Sequence, residues 1–191
     1  MRRTLLVIVS GPPAAGKTVL GRRIAEEFNL PFINKDGIKE SLFDTLGYRD
    51  REWSKQLGRA SSELLWYFVE TLLAAGCSLV VESNFDPTFA IPRLLALQAR
   101  FDFEPLQIQC RASDDVRFER FKARAESGER HPGHVDRLNY DEFTSMPSPS
   151  RSYTLEIGGS VLEVDTTDFH QIEHQGLVCA VRVALARVDE S

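Results

Sequence analysis

Short runs of apolar residues alternate along the chain with longer stretches in which apolar residues recur every three or four positions. The short runs are rich in branched side chains and predict buried strands at residues 5–9, 32–34, 78–82 and 105–110. The longer stretches predict helices at residues 19–28, 52–75, 87–100, 114–126 and 171–188. Strands that are separated by helical crossovers indicate an α/β fold with a parallel sheet, whose ligands bind at the carboxyl ends of the strands.

The pattern changes near the end of the chain. Residues 154–157 and 161–165 flank Gly158-Gly159, an arrangement typical of a hairpin. We therefore expect a three-layer molecule with a central, mostly parallel five-stranded sheet and helices on both faces. No repeat, low-complexity tract or linker divides the sequence, so residues 1–191 are expected to form one domain.

Composition narrows the class of protein. Hydrophobic residues make up 42% of the chain and charged residues 27%, values that are ordinary for a globular protein. No apolar run approaches the roughly 20 residues that span a bilayer, and the 5–9 run is too short for a signal peptide. Three distant cysteines favour reduced thiols, so we expect a cytoplasmic protein with no membrane partner. The net charge of −5 argues mildly against a long nucleic acid as partner, although a local basic groove remains compatible with it.

The segment Gly11-Pro12-Pro13-Ala14-Ala15-Gly16-Lys17-Thr18 has the spacing G-x-x-x-x-G-K-[ST] of a P-loop. In this motif the backbone N–H groups surround phosphates, the lysine reaches the β- and γ-phosphates, and the hydroxyl binds Mg²⁺. A predicted strand precedes the segment and a predicted helix follows it, which is the context that the motif requires. A P-loop NTPase fold of the nucleoside-kinase type is therefore expected.

Asp36 follows the second predicted strand, and Lys39 comes about one helical turn later. A carboxylate at this position can take the proton of an acceptor hydroxyl during phosphoryl transfer. The alternative is that Asp36 caps the following helix, and both roles are compatible. Lys39 can hold an anionic acceptor or the transferring phosphate, or it can be an ordinary solvated lysine.

Glu82-Ser83-Asn84 ends the third predicted strand. Beside a P-loop, Glu82 can hold Mg²⁺ directly or through water, or it can contact the acceptor. Asn84 can orient a substrate hydroxyl. Asp86, which precedes Pro87, is expected to cap the next helix.

Five arginines follow, at positions 111, 117, 120, 124 and 130. Arginine suits phosphate oxygens and can neutralise charge that develops during transfer. We assign Arg124 and Arg130 to the site and Arg117 to a solvated surface. Gly128, Pro132 and Gly133 interrupt the helix here, which predicts a lid at about residues 124–137 that closes over the phosphates.

Histidines and aromatic residues near these segments allow further assignments. His131 and His134 are too few for a zinc site, so contacts with substrate or solvent are favoured. Phe43, Tyr48 and Trp53 are candidate walls of the acceptor pocket, whereas Trp66 is expected in the core.

These segments together resemble the AAA-type P-loop kinase group that includes polynucleotide kinase, zeta-toxin-like kinases and chloramphenicol phosphotransferase. The resemblance extends from about Thr4 to Tyr140 and is strongest to the polynucleotide kinase domain. Its motifs are Asn34-Lys35-Asp36 with Lys39, Glu82-Ser83-Asn84, and the pair Arg120 and Arg124. Lys39 replaces the arginine of that domain, which removes a bidentate grip on phosphate.

The resemblance implies an ATP- and Mg²⁺-dependent kinase in which Asp36 is the base for a hydroxyl acceptor. Phosphates are then bound by Gly11, Pro12, Ala14, Ala15, Gly16, Lys17, Thr18, Val19 and Arg120. The metal is assigned to Thr18 and Glu82, the acceptor to Asp36, Lys39, Glu82 and Asn84, and catalysis to Asp36, Lys17, Arg124 and Arg130. A small-molecule or nucleotide-like acceptor is favoured over a polynucleotide 5′-hydroxyl, and a nucleotide-dependent switch is the non-enzymatic alternative. The acceptor's identity, the choice of ATP or GTP and the oligomeric state remain open.

Overall fold

Strand β1 (Thr4–Ser10) is the centre of the fold, and all seven of its residues are buried. The computed structural model describes residues 3–128, 130–135, 140, 143 and 153–190. Within them, five strands form one sheet in the order β2-β3-β1-β4-β5, and every neighbouring pair is parallel. The other strands are β2 (Phe32–Asn34), β3 (Leu79–Glu82), β4 (Phe103–Arg111) and β5 (Ser160–Asp165).

In the described part of the chain, α-helices connect and cover the strands. They are α1 (Lys17–Phe28), α2 (Lys35–Leu46), α3 (Arg51–Ala74), α4 (Pro87–Gln98), α5 (Asp114–Ser127) and α6 (His174–Asp189). Short 3₁₀ helices lie at Pro132–His134 and Phe169–Gln171. Within the described residues, no helix is both long and apolar enough to cross a membrane.

Alternate residues of β1 belong to two different hydrophobic cores. Leu5, Val7 and Val9 pack with α1 and α6, whereas Leu6 and Ile8 pack with α3 and α4. A strand that is covered on both faces needs apolar residues at every position, which explains the continuous apolar run in the sequence. The predicted three-layer α/β fold is confirmed.

The predicted hairpin around Gly158-Gly159 is wrong. β5 pairs in parallel with β4, and residues 154–157 form no strand. The backbone of Leu155 instead exchanges two hydrogen bonds of 2.8 Å with the side-chain amide of Gln107 in β4. Because a buried side chain satisfies this segment's backbone, it does not need a strand partner.

Candidate functional site

The loop between β1 and α1 depends on two glycines. Gly11 has φ +138°, and a Cβ placed there would lie 2.3 Å from the Cys110 carbonyl oxygen. Gly16 has φ +74°, and a Cβ there would lie 2.3 Å from the Phe169 ring. A residue with a Cβ would therefore collide with the backbone at position 11 and would be strained at position 16, which is the physical reason for the glycines of the motif.

Lys17 begins α1 and is almost completely buried in the cavity that the loop borders. Its ammonium donates a 2.8 Å hydrogen bond to the Pro12 carbonyl oxygen. Burial lowers the pKa of Lys17, and the nearby Glu82 carboxylate opposes that shift. A buried cation held at a phosphate-binding loop is arranged to receive an anion.

Thr18 and Glu82 meet across the carboxyl ends of β1 and β3. The Thr18 hydroxyl donates a 2.9 Å hydrogen bond to the Glu82 carboxylate. Burial raises the pKa of Glu82, although Lys17 and Thr18 oppose the shift. Adjacent oxygens around Mg²⁺ lie about 3 Å apart, given metal–oxygen distances of about 2.0–2.1 Å. The separation of these two oxygens therefore fits neighbouring positions around that ion.

A cavity of about 720 Å³ opens beside this loop. It brings together most of the predicted site residues, which come from four separate parts of the chain. They are Ala14, Gly16, Lys17, Thr18, Val19, Asp36, Lys39, Glu82, Asn84, Arg120, Arg124 and Arg130. Gly11, Pro12 and Ala15 are not among the lining residues; the Ala15 carbonyl oxygen accepts a hydrogen bond from the buried Thr166 hydroxyl.

Asp36 lies in the first turn of α2 but does not cap it. The cap is Asn34, whose side-chain oxygen accepts a 2.9 Å hydrogen bond from the Gly37 backbone N–H. The alternative that Asp36 caps α2 is therefore wrong, and its carboxylate lines the cavity. Asp86 does cap α4, as predicted.

The Asp36 carboxylate forms an ion pair with Arg130, whose guanidinium nitrogen lies 3.0 Å away. Burial raises the pKa of Asp36, but Arg130, His134 and Lys17 together outweigh burial and lower this pKa to about 2. The carboxylate is thus fully ionised at neutral pH and bound to a cation from another segment. A carboxylate in this state is a weak base until the cation moves.

Residues 130–135 lie against α2. The buried His134 is within 2.9 Å of Glu40, and His131 stacks on Phe43 with ring centroids 5.0 Å apart. The predicted lid at 124–137 is thus partly helix, because residues 124–127 form the last turn of α5. Its positions 129, 136 and 137 lie outside the described residues.

The arginines of α5 divide into different roles. Arg120 donates to the backbone oxygens of Thr166 and Thr167, and its guanidinium lies 4.7 Å from the centroid of the Phe169 ring. Arg124 faces the same cavity. The surface assignment of Arg117 is wrong, because this residue is 3% exposed and donates to the Pro13 carbonyl oxygen at 3.0 Å. Arg117 therefore stabilises the phosphate loop through this hydrogen bond.

The predicted aromatic walls are also wrong, since Phe43, Tyr48 and Trp53 are not lining residues of the cavity. Phe43 is buried and packs against the 130–135 segment, and the Tyr48 ring contacts His131 edge-on. Trp53 donates from its indole N–H to the Gly47 backbone oxygen. Trp66 packs partly buried against the core, as expected.

Several lining residues were missed by the sequence analysis, namely Arg22, Lys35, Glu40, Arg51 and Phe169. Phe169 follows β5, so the rule that ligands bind at the carboxyl ends of parallel strands would have pointed to it. The assignment of residues 161–165 to a hairpin concealed that position. Arg51 carries no local signal, because only the packing of α3 against α2 brings it to the cavity.

Known proteins with similar sequence or structure support this description. A family model described as an AAA domain matches residues 6–146. A crystal structure of a "putative kinase" from Chloroflexus aurantiacus J-10-fl is 37% identical, covers 97% of this chain and 100% of its own, and superposes with a TM-score of 0.86. No curated protein matches the chain in sequence.

Two more distant structures share the fold. An unliganded sugar kinase from Janibacter sp. HTCC2649 is 17% identical with a TM-score of 0.56, covering 96% of this chain and 95% of its own. A gluconokinase from Sinorhizobium meliloti 1021 is 17% identical with a TM-score of 0.50, covering 100% and 98%. The family match spans well over half of the sequence and includes the phosphate loop and the 130–135 segment. The chain therefore belongs to the AAA domain family and shares its fold with proteins described as kinases.

Proposed function

We propose that this protein transfers the γ-phosphoryl group of ATP to a hydroxyl group of a small molecule, with Mg²⁺ and with Asp36 as base. The observation that carries the proposal is that Lys17, the Thr18–Glu82 pair and Asp36 all border one cavity. A nucleotide-dependent switch needs Lys17, Thr18 and Glu82, but it does not need a carboxylate on the acceptor side. The 37% identity to a protein described as a kinase supports the same choice.

In the proposed reaction the acceptor oxygen forms a bond to the γ-phosphorus atom while its proton passes to Asp36. The bond between the γ-phosphorus and the bridging oxygen breaks, and ADP leaves with that electron pair. Lys17 stabilises the charge on the β- and γ-phosphate oxygens. Mg²⁺, held by Thr18 and Glu82, would neutralise further negative charge on the phosphates.

Arg130 must leave Asp36 before this proton transfer. The γ-phosphate offers Arg130 an anionic partner of higher charge, and a guanidinium binds phosphate oxygens through two parallel hydrogen bonds. Once Arg130 turns to the phosphate, the pKa of Asp36 rises because its strongest cationic partner is gone. We therefore assign Arg130 two partners, Asp36 before ATP binds and the γ-phosphate afterwards.

The decisive experiment is Asp36→Asn, which preserves the shape of the side chain but removes its ability to accept a proton. We expect kcat to fall by about 10²–10⁴, the usual contribution of a general base, with little change in ATP affinity. Acceptors would be found by ATP consumption against nucleosides, oligonucleotides, sugars, nucleotide sugars and aminoglycoside or chloramphenicol-like antibiotics.

Asp115→Asn is the matched control. Asp115 is an exposed carboxylate in the first turn of α5, outside the residues that line the cavity. Its substitution should leave kcat within a factor of about two, as expected for a side chain outside the reaction. Wild-type turnover in Asp36→Asn would refute the role of Asp36, and absence of ATP binding by the wild-type protein would refute the kinase proposal.

A further inference from the structure

The cavity has a charge of opposite sign to the whole molecule. The chain carries a net charge of −5. Among the described residues, however, the cavity is lined by eight lysines and arginines against three carboxylates. The basic residues are Lys17, Arg22, Lys35, Lys39, Arg51, Arg120, Arg124 and Arg130. ATP with Mg²⁺ carries a charge of about −2, so bound nucleotide leaves part of this positive charge uncompensated.

Basic residues also lie on the acceptor side of the cavity. Lys17 and Arg120 belong to the phosphate loop and its surroundings. Lys35 and Lys39, one turn apart on α2, flank Asp36, and Arg51 begins the neighbouring helix α3. These three basic residues therefore surround the position at which the acceptor hydroxyl would meet Asp36.

Lys39 is the most informative of them. Its side chain is 9% exposed, and its ammonium donates a 2.9 Å hydrogen bond to the Ser54 hydroxyl. It also lies 5.2 Å from the centroid of the Phe43 ring. Both of these partners are neutral, so neither compensates the charge of the ammonium group.

Other cations near Lys39 make the burial of its positive charge less favourable. Burial and the cations Arg51, Lys35 and Arg130 together lower the pKa of Lys39 to about 8, although the Asp36 carboxylate opposes this shift. Asp36 is the anion that acts on Lys39 most strongly, but this one carboxylate also acts on Lys35 and, before ATP binds, pairs with Arg130. Burying a cation among other cations is costly unless an anion completes the site.

We propose that the phosphate acceptor carries an oxyanion group, a carboxylate or a phosphate, in addition to the hydroxyl that is phosphorylated, and that Lys39 and Lys35 bind this group. The inference rests on the proposed function and specifies its substrate class. The bound oxyanion compensates the lysines, while the hydroxyl of the same molecule points toward Asp36. Ser54, which does not line the cavity, orients the Lys39 ammonium through its hydrogen bond.

A binding experiment tests this assignment without turnover. The protein is saturated with Mg²⁺ and a non-hydrolysable ATP analogue and is then titrated with sodium phosphate or sodium malonate, against sodium chloride at equal ionic strength. The two probes separate a phosphate site from a carboxylate site. At least one probe should bind wild-type protein about 10 to 100 times more tightly than Lys39→Gln, as expected for loss of a charged hydrogen bond.

Lys35→Gln provides a second variant at the cavity, and Lys55→Gln provides the matched control. Lys55 lies next to Ser54 on α3, but it is exposed, pairs with Glu52 and does not line the cavity. Lys35→Gln should weaken the same probe, and Lys55→Gln should bind it like wild type. Binding that is no stronger than with chloride, or equal binding by Lys39→Gln and wild type, would overturn the inference.

Turnover provides the second readout. Neutral compounds are compared with their anionic counterparts, namely glycerol with glycerate, glucose with gluconate, and cytidine with cytidine 3′-monophosphate. In at least one pair the anionic compound should have a kcat/KM about 10 to 100 times higher, and Lys39→Gln should remove that advantage by raising KM for this compound. The KM for ATP should not change.

The outcomes separate this inference from the function on which it rests. If a neutral compound is phosphorylated as efficiently as its anionic counterpart in every pair, the inference fails and the kinase stands. If the ATP analogue does not bind at all, the proposed function fails and the inference fails with it.

Discussion

At the scale of single residues, two buried lysines of the cavity differ in what surrounds their charge. Lys17 has the Glu82 carboxylate nearby and a backbone oxygen as its hydrogen-bond acceptor. Lys39 has a hydroxyl and an aromatic ring, with other cations close to it. Burial lowers the pKa of both lysines. An anion that enters the cavity therefore stabilises the protonated form of each lysine.

Lys17→Met tests what the positive charge of Lys17 contributes to turnover and to stability. Turnover should fall by about 10² or more, because a donor to the transferring phosphate is lost. The melting temperature should not fall, since methionine fills a similar volume and removes a buried charge. Circular dichroism melting and ATP titration measure the two effects, with the exposed Lys122→Met as control. A large loss of stability would show that Lys17 serves the fold instead of the nucleotide.

The pH dependence of acceptor use follows from Lys39. Its pKa of about 8 lies below the ordinary value for lysine, so the cation is present below that pH and is lost above it. The charged groups facing it are Lys35 and Asp36 on α2, Arg51 on α3, and Arg130. We expect kcat/KM for an anionic acceptor to decrease as the pH rises through about 8.

Lys39→Arg is the control for this profile, because arginine stays charged over the whole range. The decrease near pH 8 should be absent in that variant. A decrease of equal size in wild type and Lys39→Arg would assign the titration to another group.

At the scale of elements, the 130–135 segment depends on α2 for its position. Phe43 supports it through His131 and His134, and Arg130 reaches Asp36. Phe43 was predicted to form a wall of the acceptor pocket. Its buried ring instead holds the 130–135 segment in place. The contacts described for this segment involve polar groups and the rings of Phe43 and Tyr48, so the segment can be released without opening either hydrophobic core.

We predict that this segment changes its contacts when a γ-phosphate is present, because Arg130 then exchanges Asp36 for the phosphate. Hydrogen exchange across residues 124–128 and 130–135, compared between free protein, ADP and a non-hydrolysable ATP analogue, measures the change. The analogue should alter protection in a way that ADP does not. Arg124→Ala and Arg130→Ala should reduce kcat more than they weaken ADP binding.

The exposed Arg59→Ala serves as the control for the two arginine variants and should behave like wild type. Equal protection in all three states, together with normal turnover of both variants, would make the segment an ordinary surface loop.

At the scale of the whole molecule, residues that follow the last strand of the sheet contact the phosphate loop. Thr166, directly after β5, is fully buried, and its hydroxyl lies 2.8 Å from the carbonyl oxygens of Ala15 and Arg111. The Phe169 ring packs against Gly16, and the Arg120 guanidinium lies over the same ring. The shape of the loop therefore depends on residues about 150 positions later in the sequence.

Thr166→Val tests this connection, because valine has nearly the same shape and lacks the hydroxyl. We expect a loss of about 1–3 kcal/mol in the free energy of unfolding, since buried carbonyl oxygens lose a donor. Affinity for ATP should also fall. Thr71→Val, at an exposed threonine on α3 that bonds only its own helix, should change stability by less than about 0.5 kcal/mol in urea unfolding.

Local sequence was sufficient for the five strands, for the phosphate loop and for the helices other than α2, because each depends on short-range physics. Buried parallel strands need continuous apolar runs, helices need a repeating apolar face, and the loop needs glycine where a Cβ would collide with Cys110 or Phe169. The same reasoning identified Asp36, Lys39 and Glu82 as cavity residues, since they follow strands whose carboxyl ends meet at one edge.

Only the tertiary structure decided which side chains pair with which. The Asp36–Arg130 ion pair joins residues 94 positions apart, and Arg51 comes to the cavity through the packing of α3 on α2. Arg117 appeared to be a surface residue because its buried partner, the Pro13 carbonyl oxygen, lies 104 positions away. The apparent hairpin failed for the same reason, since Gln107 satisfies the Leu155 backbone from another strand. Periodicity and spacing describe neighbours along the chain, whereas burial, ion pairing and pKa depend on neighbours in space.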